Sequence, residues 1–128
     1  MRWGPGGQPM TERLRSRGDF DRVFAGGRAI PGPLLVLRLA RQAGSGSRVG
    51  IAVGRRLGSA VLRNRLRRRW REIVRLGPAV APGWDLVVVV RGGSVTATPA
   101  ALRQAWGAAL RRGGVAATEP GGAGGAHA

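Results

Sequence analysis

Two segments with different hydrophobic periods adjoin in the middle of the chain. In residues 48–54, branched apolar residues alternate with glycine and alanine, which predicts a strand with one bulky face and one nearly bare face. In residues 60–75 the apolar residues recur with the spacing of one buried helical stripe. The residues of this stripe are Leu62, Leu66, Trp70 and Ile73. Gly58 supplies a turn and Ser59 a candidate N-cap, so the segment predicts strand, turn and helix.

The remaining pattern predicts two more helices and three more strands. A short first helix is predicted between a candidate cap, Ser16 or Asp19, and a stop at Gly26–Gly27. A last helix is predicted to begin at Thr98 and to end at Arg112. Extended segments are predicted at residues 29–33, 34–40 and 84–91, and the last of these has the unbroken apolar run of a strand buried on both faces. The order αβββαβα predicts an α+β fold, a two-layer α/β sandwich with a four-stranded mixed sheet.

The two ends of the chain lack such a pattern. Residues 1–10 and 113–128 are rich in glycine, and we expect them to be disordered tails around one domain, residues 11–112. The chain has no cysteine, and its one histidine, His127, lies in the second tail. Disulfides and thiolate metal sites are thereby excluded. Neither a secretory segment nor a membrane span is predicted, so the expected location is the cytoplasm.

The charge of the chain indicates what kind of partner it binds. The formal net charge is +16, and arginine supplies all of the positive charge because the chain has no lysine. A charged helix face is usually a solvated one, but such faces mix signs and gain favourable pairs from doing so. Between Ser59 and Arg75 there are seven arginines and one acid, Glu72. Solvation leaves that repulsion unrelieved, whereas a polyanion would relieve it, and we therefore predict a nucleic-acid partner.

The cations of this segment follow an ordered motif. Its parts are a cation pair, a Gly-x-Ala-Val turn, an Arg-Asn-Arg core, a second cation pair and an Arg-Glu: Arg55-Arg56, Gly58-Ser59-Ala60-Val61, Arg63-Asn64-Arg65, Arg67-Arg68 and Arg71-Glu72. This motif resembles the signature of the protein subunit of bacterial ribonuclease P, and the resemblance extends over roughly residues 13–112. It implies a left-handed βαβ crossover around the central helix, where general rules favour a right-handed one.

The resemblance also implies an activity and partners. Family members assist the hydrolysis of precursor transfer RNA that frees its mature 5′ end, and the catalytic centre is an RNA with bound magnesium. The implied partners are this catalytic RNA and precursor transfer RNA, with no DNA and no membrane. The residues that match the family's contacts with catalytic RNA are Arg55, Arg56, Arg63, Asn64, Arg65, Arg67, Arg68 and Arg71.

A second set of residues matches the family's cleft for the single-stranded 5′ leader. Phe20, Phe24 and Arg38 would hold the leader together with the bare strand face at Gly50 and Ala52. The two phenylalanines could instead be simple core residues, and a covering helix could instead fill the space above Gly50. The chain has no tyrosine, so any leader contact that relatives make by tyrosine would be made here by Arg38 or another residue, or would be lost.

Three other classes of protein fit these features less well. A ribosomal protein or general RNA chaperone shares the charge but does not need the Arg-Asn-Arg register. A KH domain needs a Gly-x-x-Gly loop, and the loop from Gly54 to Gly58 has one residue too many. A self-sufficient nuclease needs clustered carboxylates, whereas the six acids here are dispersed along the sequence. We therefore predict no catalytic residue and no resident metal in this chain, and the resemblance implies that magnesium is held mainly by RNA.

Overall fold

The computed structural model describes residues 11–44 and 46–117, which form five strands and three helices. In chain order these are β1 (Thr11–Arg13), α1 (Arg17–Gly26), β2 (Arg28–Pro31), β3 (Leu35–Arg41), β4 (Ser47–Ala52), α2 (Ala60–Leu76), β5 (Trp84–Val90) and α3 (Pro99–Gly113). The predicted α+β fold class is confirmed, with each predicted helix and strand in place. Strand β1 is an addition, since three residues are too few to show an alternating pattern.

The five strands form one mixed sheet in the order β1-β4-β5-β3-β2. Strand β4 runs parallel to both β1 and β5, and β3 runs antiparallel to β5 and β2. Helix α2 therefore connects two adjacent parallel strands, as the resemblance implies. The left hand of this crossover stays a prediction from the resemblance.

The larger core lies between the sheet and helices α2 and α3. Alternate residues of β3, β4 and β5 face these helices, where Trp70 of α2 and Trp106 of α3 are fully buried. Both indole N–H groups are paired: Trp70 Nε1 donates to Ser94 Oγ and Trp106 Nε1 to the Pro78 carbonyl, each at 3.2 Å. The predicted stripe of α2 is confirmed, with Leu62 partly buried, so the arginines of this helix lie on its flanks and outer face.

Helix α1 packs on the opposite face of the sheet. Val23 of α1 is fully buried against Val87 of β5 and Leu14, and Phe20 packs on the same cluster. The sheet therefore carries helices on both faces. Helix α1 adds a partial third layer to the two layers that were predicted. Because α1 has only ten residues, it covers only part of its face.

A network of charged side chains fixes α1 to the sheet. Asp85 of β5 is fully buried, and both of its oxygens accept from Arg48 of β4, at 2.9 Å from Nε and 2.7 Å from Nη2. Gln42 Nε2 donates to Asp85 Oδ1 at 2.8 Å, and Arg22 of α1 also pairs with Asp85. Arg48 reaches Asp19 of α1 at 3.0 Å as well. These hydrogen bonds raise the pKa of Arg48, chiefly through Asp85.

The packed domain extends past the predicted boundary at residue 112. Gly114 ends α3 in the left-handed conformation, and the side chain of Val115 is fully buried in the main core. The Ala81 N–H donates to the Val115 carbonyl at 2.8 Å, and the Ala117 N–H donates to the Ala79 carbonyl at 2.9 Å. Residues 113–117 are therefore part of the domain, a correction to the predicted tail. Residues 1–10 and 118–128, the rest of the predicted tails, lie outside the described residues.

Deletion of residues 115–128 is expected to destabilise the protein by about 1.5–3 kcal/mol, the contribution of one fully buried valine. Deletion of residues 118–128 alone keeps Val115 and its backbone pairing, and we expect it to leave the free energy of unfolding within about 0.5 kcal/mol. Urea denaturation of both truncated proteins measures the difference. Equal stability of the two would show that Val115 does not contribute to the core.

Candidate RNA interface

The start of α2 is held by a turn and a cap. Ser59 Oγ accepts from the Leu62 N–H at 3.2 Å, as its N-cap position predicts. Gly58 has φ of +142°, where a side chain would be strained, and an added Cβ would lie 2.6 Å from Leu62 Cδ2. This geometry directs α2 back across the sheet. The preceding one-turn helix leaves both Arg55 and Arg56 exposed to solvent.

The arginines of α2 divide between two flanks of the helix. On the flank towards strand β1, Arg71 lies near Arg67 and near Arg13 and Arg15. Partial burial, followed by the charges of Arg13, Arg67 and Arg15, lowers the pKa of Arg71. We call these four residues the β1-side cluster. The charges of its three neighbours disfavour the charged form of Arg71, so a phosphate at the cluster would relieve the repulsion.

Two residues of the Arg-Asn-Arg core act locally on α2. Asn64 Oδ1 accepts from Arg67 Nη1 at 2.7 Å, so the exposed asparagine orients an arginine of the β1-side cluster. Arg63 Nε donates to the Gly58 carbonyl at 3.2 Å, which ties the side chain to the turn before the helix. The Arg-Asn-Arg segment therefore fixes the positions of two arginine side chains, Arg63 and Arg67.

On the other flank, α2 faces the start of α3 across a groove. Its rim carries four arginines: Arg65, Arg68 and Arg69 of α2 and Arg103 of α3. The single acid of α2 is already engaged, since Arg75 Nε donates to Glu72 Oε1 at 3.1 Å. This pairing lowers the pKa of Glu72 and raises that of Arg75. We call this surface the α3-side groove.

A different surface lies on the α1 side of the sheet. Val36 of β3 pairs with Val89 of β5, which pairs in turn with Ala52 of β4, so the three side chains form a row across the sheet. All three are half-buried, and Ala52 and Val89 pack on the cluster around Val23 of α1. We call this row the α1-side strip. Its apolar surface borders Phe24 and Arg38 in the fold.

Phe24 and Arg38 are brought together beside the strip. Phe24 is 39% exposed, and the Arg38 guanidinium carbon lies 5.4 Å from the centroid of its ring. Arg38 also donates to the Phe24 carbonyl, which holds the guanidinium over the ring. An exposed aromatic face next to a fixed cation is the combination that stacks a base and binds its phosphate.

The surroundings of Gly50 differ from the prediction. The residue is buried, and an added Cβ would lie 2.4 Å from Phe20 Cζ and 3.2 Å from Leu14 Cβ. The prediction that Gly50 lies on an open face for RNA is therefore wrong, because Phe20 of α1 occupies that space. Phe20 is itself partly buried, so of the aromatic pair it is Phe24 that presents an exposed face.

Four arginines of the two cationic surfaces were not predicted as site residues: Arg13, Arg15, Arg69 and Arg103. Arg69 stands four residues after Arg65, so the helical period alone could have placed it on the same flank. Arg103 belongs to another helix, and Arg13 to an unpredicted strand. Only the tertiary fold brings these two beside α2.

Residues 11–44 and 46–117 contain no group of three or more His, Asp or Glu side chains placed to hold a metal ion. Within the same part of the chain, none of the helices has the length and apolar character needed to cross a membrane.

Comparison with known proteins identifies the family. A family model described as Ribonuclease P matches residues 9–114, which include both cationic surfaces and the α1-side strip. The chain belongs to the ribonuclease P protein family. The predicted resemblance is therefore confirmed. Membership assigns the chain to transfer RNA processing and implies an RNA partner.

Curated relatives of this ribonuclease P family member carry the same description. The "Ribonuclease P protein component" of Herpetosiphon aurantiacus is 46% identical over 96 residues, which cover 74% of this chain and 78% of the relative. The protein of that name from Gluconacetobacter diazotrophicus is 42% identical over 112 residues, covering 85% and 97%. The similarity therefore extends over nearly the whole of the second relative.

Solved ribonuclease P proteins share the fold. The protein from Thermotoga maritima has a TM-score of 0.68 at 32% identity, with 79% of this chain and 96% of that chain covered. The protein from Staphylococcus aureus has a TM-score of 0.70 at 24% identity, with 82% and 97% covered, and this second likeness shows the fold alone.

Proposed function

We propose that this chain is the accessory protein of a ribonuclease P holoenzyme. It binds the catalytic RNA through the flanks of α2 and the 5′ leader of precursor transfer RNA through the α1-side strip. The hydrolysis that frees the mature 5′ end takes place in the RNA, with magnesium held mainly there. The observation that carries this proposal is the presence of two RNA-type surfaces of different chemistry on opposite faces of one sheet.

The flanks of α2 suit a folded RNA. The β1-side cluster and the α3-side groove together concentrate eight arginines around one helix. Arginine binds phosphate through a planar fork of donors, and a structured RNA presents phosphates on several sides of a helix that docks against it. The exposed pair Arg55 and Arg56 extends this surface at the start of α2.

The α1-side strip suits a single strand. Unpaired bases stack on aromatic and apolar surfaces, and sheets of RNA-binding domains commonly hold two or three bases in this way. Here Phe24 supplies the exposed ring, Arg38 the adjacent cation and Val36, Val89 and Ala52 the apolar floor. Arg38 therefore takes the place of a tyrosine in our proposal for the leader contact.

The carboxylates of the domain support a division of labour in which the RNA is catalytic. Asp19 and Asp85 are paired with Arg48, and Glu72 is paired with Arg75. These three acids stabilise the fold instead of standing free to bind magnesium. The proposal accordingly assigns no catalytic residue to this chain.

Reconstitution tests the proposed function. Purified protein, its cognate catalytic RNA and leader-bearing precursor transfer RNA are combined over a magnesium series. We expect the protein to lower the magnesium concentration needed for cleavage and to cleave nothing without the RNA. Magnesium-dependent cleavage by nuclease-free protein alone would contradict the accessory role.

Two single substitutions are expected to separate the two surfaces. Phe24→Leu removes a stacking ring, so affinity for leader-bearing precursor should fall about fivefold or more, while affinity for mature transfer RNA and catalytic RNA is retained. Arg67→Ala removes one phosphate contact, so it should weaken binding of catalytic RNA and reduce the slope of log K against log salt by about one unit or slightly less.

Binding of each variant to the three RNAs is measured over a salt series, with thermal unfolding followed in parallel. Equal losses for all three RNAs in both variants would indicate one undifferentiated basic surface. In that case a general RNA-binding protein, such as a ribosomal protein or RNA chaperone, would be the better description.

A further inference from the structure

The α3-side groove combines charge with an apolar floor. Its volume is about 550 Å³, within the range of about 300–1,000 Å³ typical of small-ligand pockets. Ile73 and Leu76 of α2 and Pro99 of α3 form the floor. Ile73 belongs to the main core, whereas the side chain of Leu76 is 65% exposed. A large exposed leucine surrounded by charged side chains is typical of an interaction site, because a ligand that covers it removes apolar surface from water.

The rim of the groove determines the charge of its occupant. Arg65, Arg68, Arg69 and Arg103 surround the floor, and Glu72 is the single acid there. Because Glu72 pairs with Arg75, its repulsion of an anion is largely cancelled. An occupant that complements this groove is therefore anionic at its edges and apolar at its centre.

An unpaired nucleotide has this distribution of charge. Its base offers a flat apolar face to the floor, and the phosphates on either side reach the arginines. In an RNA duplex the bases are stacked within the helix, so the duplex would meet the rim with its phosphates and leave Leu76 uncovered. An acidic protein segment would satisfy the rim but has no regular alternation of flat ring and anion.

We propose that the α3-side groove binds one unpaired nucleotide of an RNA partner, with the base on Leu76 and Ile73 and the flanking phosphates on the four arginines. This proposal rests on the proposed function and adds to it a second single-strand site, on the face of the sheet opposite the α1-side strip. It assigns binding roles to Arg69 and Arg103.

The distribution of isoleucine gives a direct test. The sequence contains three isoleucines, Ile30, Ile51 and Ile73, and only Ile73 lines the groove. The intact protein is labelled at isoleucine methyl groups and titrated with a single-stranded RNA of ten mixed nucleotides, and separately with a duplex of the same length. We expect the Ile73 methyl signal to shift with the single strand, and to shift much less with the duplex.

Two arginine variants of α3 provide a matched comparison. Arg103→Ala removes a cation of the rim, and we expect the affinity reported by the Ile73 methyl to fall about tenfold. Arg111→Ala removes the same charge two turns further along the helix, about 12 Å away, and should leave that affinity within twofold. Equal losses in both variants would show a general charge effect and would overturn the proposal.

The other outcomes are also decisive. If the Ile73 methyl does not respond to either RNA while leader-bearing precursor still binds, the groove does not take a nucleotide and the proposed function stands. If single strand and duplex shift the signal equally, the site binds phosphates without a base, which also overturns the proposal. Failure of every RNA to bind would instead contradict the proposed function itself.

Discussion

Asp85→Asn is expected to lower the free energy of unfolding by about 3 kcal/mol. Removal of one member of a buried ion pair typically costs about 3–5 kcal/mol, because the remaining charge is left without a partner. Here Arg48 and Arg22 remain, with side chains 31% and 43% exposed, so water offsets part of the loss and we expect the lower end of that range. For a domain of this size, 3 kcal/mol is a large share of the total stability.

The same substitution is also expected to weaken the binding of RNA. Asp85 holds Arg22 and Arg48, which fix α1 on the sheet, and α1 carries Phe24 beside the α1-side strip. We therefore expect Asp85→Asn to weaken leader binding at temperatures where the protein is still folded. Urea denaturation and precursor binding at 10 °C measure the two effects.

Asp21→Asn is the matched control for this prediction. It removes the same charge from an exposed position on α1, and we expect the free energy of unfolding to change by no more than about 0.5 kcal/mol. If Asp85→Asn is as stable as this control, the network around Asp85 does not hold α1 in place.

Local signals explain why so much of the fold could be predicted. Each of the three α-helices is preceded by an N-cap residue whose hydroxyl oxygen accepts from the N–H three positions later: Ser16, Ser59 and Thr98. The buried stripe of α2 follows in the same way from the helical period, and the double burial of β5 follows from its unbroken apolar run. These features depend on residues within one or two turns of each other, which a sequence displays directly.

The incorrect predictions concern contacts between distant residues. Nothing near Gly50 in the sequence indicates that Phe20, thirty residues earlier, fills the space above it. Strand β1 exists because Arg13 pairs with Val49 in β4, and the burial of Val115 depends on the core beneath it. Short or glycine-rich segments of this kind take their structure from the rest of the fold, so their own pattern is uninformative.

The surroundings of the two flanks of α2 also depend on contacts between residues that are distant in the sequence. The helical period shows that Arg67 and Arg71 lie on one side of α2 and that Arg65 and Arg69 lie on another. It does not show that one side meets Arg13 while the other meets the start of α3. The sequence therefore predicts a cationic helix, and the structure adds that its arginines lie on two separate surfaces.

Arg71→Met is expected to stabilise the free protein while weakening its binding to catalytic RNA by about 10- to 100-fold. Arg71 stands four residues after Arg67, and like charges at this spacing destabilise a helix by about 0.2–0.5 kcal/mol. Arg13 and Arg15 add to the repulsion, and partial burial disfavours the charge further. Methionine keeps a long apolar stem and a good helix propensity, so only the repulsion is removed.

The loss of affinity follows from the same arrangement. A hydrogen bond to a charged group contributes about 1.5–3 kcal/mol, which corresponds to about 10- to 100-fold in binding. Arg75→Met, one turn further along α2, is the control for stability, with the opposite sign: its pairing with Glu72 raises the pKa of Arg75, so loss of the pair should lower stability slightly. Thermal unfolding and binding over a salt series distinguish the two variants. A less stable Arg71→Met protein would show that the β1-side cluster is not under repulsion, and an unchanged affinity would show that it does not bind phosphate.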